Sequence, residues 1–99
     1  MVFNETEIGW FEGIVQSIKD DIPTLPLLFE LPSVKAKVPE GKTNEFLLGF
    51  VLGRISGCYA TYAFMKKNVV PSNADMHETL DRILLHLEML RSEIRRLPK

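Results

Sequence analysis

Residues 46–65 read FLLGFVLGRISGCYATYAFM: twenty residues with one charge, Arg54, and glycine at every fourth position through Gly49, Gly53 and Gly57. As a single α-helix at 1.5 Å per residue the run is about 30 Å long, the hydrocarbon thickness of a bilayer. Either it spans a membrane, or it is the buried central helix of a soluble assembly. The rest of the chain is read around that choice.

The helix has two unlike faces. Gly49, Gly53, Ser56, Gly57, Ala60 and Ala63 form a stripe of small residues, while Leu47, Leu48, Val51, Ile55, Cys58 and Tyr62 form a bulky one. Each interior glycine costs about 1 kcal/mol of helix stability against alanine. In lipid, where apolar side chains gain nothing by leaving solvent, close backbone approach through such small-residue ridges drives helix association. Gly49, Gly53, Ser56, Gly57 and Ala60 are therefore the candidate helix-packing residues. Arg54 pulls the other way, since a charge near the bilayer centre costs about 3 kcal/mol on insertion scales. It is expected to be a buried charge that needs a carboxylate or carbonyl partner.

The flanks carry clear local signals. Asn4 followed by Glu7 fits a variant capping box, and Phe3 with Ile8 a hydrophobic staple, at the start of an amphipathic helix over residues 1–22. Its apolar stripe is Ile8, Phe11, Val15, Ile18 and Ile22, opposite Glu5, Glu12, Gln16 and Lys19. Asp20 and Asp21 in the last turn have the wrong sign for the helix dipole, which points to a partner or a cation. Residues 23–42 hold Pro23, Pro26, Pro32 and Pro39, and proline removes donors and clashes with the preceding turn. An extended, partly polyproline-like strap lying along another surface is expected there. Thr43 or Asn44 caps the apolar helix of 43–67, Asn68 suits a left-handed cap, and residues 68–74 form a turn.

A capping box at Ser72/Asp75 or Asp75/Glu78 then opens an amphipathic helix over 75–97. Met76, Leu80, Ile83, Leu87, Leu90, Ile94 and Leu97 alternate at spacings of four and three. That is a heptad seam, and Leu80, Ile83, Leu87, Leu90 and Ile94 are its candidate contact residues. The expected fold class is all-α: a single transmembrane helix, an N-terminal amphipathic helix with a Pro-rich extended strap, and a C-terminal amphipathic helix.

At 99 residues the chain is one small domain, and oligomerisation or docking on a larger partner is the default. A net charge of −1 gives no electrostatic case for nucleic acid. The charge is uneven: residues 1–30 hold six acids and the single base Lys19, while residues 91–99 hold four bases and one acid. Cys58, the one cysteine, excludes an internal disulfide. The acidic, arginine-free N-terminal stretch resembles neither a transit peptide nor a secretory signal, so if the protein enters an organelle it is expected to do so without a cleaved leader of those types. His77 and His86 fall on opposite sides of a helix, and the glycines lack both the strand and the spacing of a nucleotide fingerprint. No catalytic residue, cofactor, metal or small-molecule substrate is expected, and the chain is read as a non-enzyme.

The string Phe46-Leu47-Leu48-Gly49-Phe50-x-Leu52-Gly53-x-x-x-Gly57-x-Tyr59 resembles the signature of the mitolamban-like short transmembrane mitochondrial proteins. In that family a proline-containing turn and a charged, leucine-spaced helix follow the span, and Asn68, Pro71 and the helix from about Asp75 occupy equivalent places. The resemblance covers residues 45 to about 97. It implies a single-pass protein of the mitochondrial inner membrane, an accessory subunit of respiratory complex III or a supercomplex containing it. The partners so implied are membrane-embedded respiratory subunits and the bilayer. Three features depart from the family pattern. Residues 1–44 have no counterpart, Arg54 replaces an uncharged polar residue, and the link after the span is longer. The alternative from the residues alone is a soluble helical oligomerisation or adaptor protein with residues 46–65 as its buried central helix.

Overall fold

Asn4 begins the described structure as a helix cap: its side-chain oxygen accepts from the Glu7 N–H at 2.8 Å. The structure is a computed structural model that describes residues 4–98, so Phe3 and its expected staple lie outside the described residues. The described residues form six α-helices: α1 Glu5–Asp21, α2 Leu25–Leu28, α3 Pro32–Lys37, α4 Asn44–Lys67, α5 Asn73–Leu84 and α6 Leu87–Arg95. Among the described residues there is no strand, and α4 is long and apolar enough to cross a membrane.

Helix α4 is the axis of the molecule. Its 24 residues make a rod of about 36 Å, nearly the full 40 Å length of the fold. The Thr43 hydroxyl caps it by accepting from Phe46 N–H at 3.2 Å, and Asn68 ends it in the left-handed conformation at φ 57°. Helices α1, α5 and α6 all pack against α4. The core is one cluster: Leu47, Val51, Ile55, Tyr59 and Ala63 from α4, Phe11, Val15 and Ile18 from α1, and Ile83, Leu90 and Ile94 from α5 and α6. The α4 members recur every fourth residue, so they form one i±4 ridge, the kind that seats in a neighbouring helix's groove. Each fully buried Leu, Ile or Val stabilises the fold by about 1.5–3 kcal/mol.

Three local expectations are corrected. The Pro-rich segment is not an extended strap. It is a chain of short helical turns, with 3₁₀ turns at Ile22–Thr24 and Pro39–Lys42 beside α2 and α3. Pro23, Pro26, Pro32 and Pro39 each sit in the first turn of one of them. There the missing N–H is an orphan in any case and the fixed φ already suits a helix. Phe29 anchors this segment edge-on to Phe46 and Phe50, with ring centroids 5.1 and 5.4 Å away.

The C-terminal helix is not continuous. It breaks at Leu85–His86, where the Leu85 and His86 N–H groups bond three residues back, to Arg82 and Ile83. The bend turns both Ile83 and Leu90 onto α4. The capping box of α1 is also only half made, because the Glu7 carboxylate turns inward instead of returning to the Asn4 N–H. By contrast, Ser72 and Asp75 form the complete reciprocal box at the start of α5, at 3.1 and 3.0 Å.

Candidate functional site

The candidate surface is α4 itself, whose two faces are treated in opposite ways. On the closed face α1 runs antiparallel to α4, fixed at both ends by charge. Near its N-terminus the Glu7 side chain is only 3% exposed, and Lys67 Nζ lies 2.9 Å from its Oε1. The Tyr59 hydroxyl donates to Oε2 of the same carboxylate at 3.3 Å. A buried carboxylate is tolerable only when paired and hydrogen-bonded, and both partners here come from α4. At the other end of α1, Asp21 lies 3.7 Å from Arg54.

Aromatic packing sets the register between these two pairs. Phe11 meets Tyr59 edge-on at 5.6 Å, Trp10 meets Tyr62 at 5.1 Å, and the Lys66 ammonium sits 5.9 Å from the Trp10 ring centre. The third helix layer joins through His86, whose Nε2 is 3.2 Å from Glu12 and whose ring lies against Phe11.

The open face is the small-residue stripe. Gly49, Gly53 and Gly57 are exposed, and a Cβ built on any of them would meet nothing within 4 Å. Ser56 and Ala60 are half-buried at its edge, and Cys58 is exposed beside it. An apolar groove of about 290 Å³ continues this face toward the end of α4, lined by Ala60, Thr61, Phe64, Val70 and Pro71. Of the 18-residue stretch of α4 apolar enough to span a membrane, 28% is buried.

Arg54, expected to be a buried charge, is partly exposed and has a partner within the chain, Asp21, which also gives that acid a role. The expected C-terminal seam is divided by the bend. Ile83, Leu90 and Ile94 are buried on α4, Leu87 is half-buried, and Leu80 is exposed. Sequence reasoning missed Glu7, Tyr59 and Lys67 as a group. One signal was available: the stripe Phe11, Val15, Ile18, Ile22, extended back by four residues, lands on Glu7, placing a carboxylate on an apolar face.

Among the described residues, no group of three or more His, Cys, Asp or Glu side chains is placed to hold a metal ion. No protein-family model, curated protein or solved structure matches the chain.

Proposed function

We propose that this protein is a non-catalytic accessory subunit of a respiratory complex in the mitochondrial inner membrane, complex III or a supercomplex containing it. In this reading α4 is its single span, and the subunit stabilises or regulates assembly. The observation that carries the reading is the uncovered glycine edge on a helix long enough to cross a bilayer. Gly49, Gly53 and Gly57 lower the stability of α4, and among the described residues no contact uses the space they leave. A transmembrane helix of another subunit, approaching backbone to backbone, would use it. The compartment and the complex rest on the resemblance of residues 46–59 to the short transmembrane mitochondrial proteins.

Native electrophoresis in mild detergent, with mass spectrometry of co-migrating subunits, tests the proposal. The wild-type chain is expected to migrate with complex III. Gly53→Leu, which fills the middle of the open face, is expected to abolish co-migration while the chain still resists carbonate extraction. Undiminished co-migration of that variant would remove the glycine face from the interface.

A second reading draws on the closed face. Burial of Leu47, Val51, Ile55 and Tyr59 by α1, α5 and α6 is also how a soluble helical adaptor would use α4, as a central helix. Carbonate extraction separates the two, because a soluble adaptor is released and a span is retained.

A further inference from the structure

Helix α1 and a membrane compete for the same side of α4. The outer face of α1 carries Glu5, Glu12, Gln16 and Asp20, all exposed. A charge costs about 2.5–3.5 kcal/mol at the bilayer centre, so α1 cannot follow α4 into hydrocarbon. Connectivity sharpens the conflict. The chain leaves α1 at Asp21 and re-enters α4 at Asn44, yet Glu7 is paired with Lys67 at the far end of α4. If α4 spans, a hydrocarbon layer of about 30 Å separates those two residues.

We infer that α1 is a releasable clamp: the structure is the closed, water-borne form, and α1 leaves α4 when α4 enters the membrane, as must α5 and α6, which also pack on α4 and carry the exposed charges Asp81, Glu88 and Arg95. This rests on the spanning reading of α4 given above. The chemistry of the contact suits release. Lipid replaces Phe11, Val15 and Ile18 from α1, and Ile83, Leu90 and Ile94 from α5 and α6, as cover for the stripe Leu47, Val51 and Ile55, so the apolar part of the contact is exchanged rather than lost. The polar part makes closure definite. Glu7 is buried between Lys67 and Tyr59, and both ends of the Glu7–Lys67 pair regain water when α1 departs. Arg54 gives up Asp21, and in the membrane it must exchange that carboxylate for one on the subunit it joins. The clamp thus holds the apolar helix in water before insertion and frees the one charge within it at the moment of docking.

The test places nitroxide spin labels at Trp10→Cys and Lys66→Cys in a Cys58→Ser background, using the full chain and leaving the Glu7–Lys67 pair intact. Inter-label distance is measured by pulsed electron resonance in buffer. It is measured again after reconstitution from detergent into phosphatidylcholine–cardiolipin vesicles washed with carbonate. In buffer the labels are expected to lie within the reach of their own arms, because Lys66 packs on Trp10. In vesicles they are expected to separate by about 30 Å or more, the hydrocarbon thickness. Lys67→Met added to the pair is expected to shift part of the buffer population to long distances.

A carbonate-resistant chain whose labels stay close overturns the clamp but leaves the span standing. Long distances in buffer without Lys67→Met also overturn it, since no closed form then exists. If the chain is released by carbonate from both vesicles and mitochondria, the spanning reading fails and takes the clamp with it. An unchanged buffer distribution in the Lys67→Met protein removes Glu7–Lys67 as the latch.

Discussion

The closed and open faces of α4 belong to one helix but obey different rules. On the closed face, every fourth residue from Leu47 to Ala63 is buried, and three helices supply the cover. On the open face, the same four-residue step carries Gly49, Gly53 and Gly57, and nothing covers them. A soluble core helix is normally apolar where it is covered and polar where it is not. Here the uncovered side is small and apolar instead.

The largest effect that would break this comparison is a cavity on the closed face. Ile55 is fully buried, and Ile55→Ala is expected to cost about 3 kcal/mol through lost transfer energy and residual cavity. Gly53→Ala, two residues away on the open face, is expected to go the other way. It should stabilise the isolated chain by up to about 1 kcal/mol, because alanine is the better helix former and meets no neighbour. Urea unfolding followed by circular dichroism measures both. Equal destabilisation by the two changes would mean that the glycine edge is covered after all.

Gly41 sharpens the same point from outside α4. A Cβ there would lie 2.5 Å from Phe29 Cδ1 and 2.8 Å from its Cγ, so the residue is small because a ring rests on it. Gly41→Ala is expected to cost about 1–3 kcal/mol by overpacking. Among the glycines of the described chain, this one is required by the fold itself. The three on α4, like Gly9 and Gly13 on α1, meet no such neighbour among the described residues. A Gly41→Ala protein as stable as wild type would show that the Phe29 ring moves aside freely.

These contrasts also show what the sequence could disclose. Caps were readable to within one of two choices because capping is decided within three or four residues: of Thr43 or Asn44 the cap is Thr43, of Ser72/Asp75 or Asp75/Glu78 the box is Ser72/Asp75, and Asn68 takes the left-handed cap. The closed stripe was readable as far as Leu47, Val51 and Ile55. Beyond them the bulky face was expected at Cys58 and Tyr62, but burial continues in strict steps of four to Tyr59 and Ala63. That step is imposed by the ridge geometry of the neighbouring helices, which one helix's sequence does not contain. The prolines announced an interruption correctly, but their first-turn placement in successive short turns goes with Phe29 packing on Phe46 and Phe50, which lie far along the sequence. The least legible feature was the pairing of Glu7 with Tyr59 and Lys67. It joins the two ends of the molecule, and its components read separately as a capping acid, an apolar aromatic and a terminal lysine. The open face resisted for a different reason: among the described residues nothing packs against its glycines, so only a resemblance could speak to it.

The smallest expected effect lies at the hinge end of the closed face, where Lys42 Nζ is 2.6 Å from Glu30 Oε1. The hydrogen bond from Lys42 and the charge of its ammonium hold the Glu30 carboxyl below its ordinary value of 4.5. A carboxyl whose folded-state pKa is depressed contributes stability above its unfolded pKa, and that contribution is lost as pH falls through the folded value. The wild-type chain should therefore lose a small increment of stability on acidification below about pH 4.5, and Glu30→Gln should lack that increment. Both groups are exposed, so the difference between the two proteins should also shrink in high salt. Unfolding midpoints of the two proteins from pH 7 to pH 3, at low and high salt, measure it. Parallel pH profiles at low salt would show that the 3₁₀ turn at Pro39–Lys42 is held by Phe29 on Gly41 alone, with the ion pair only resting on the surface.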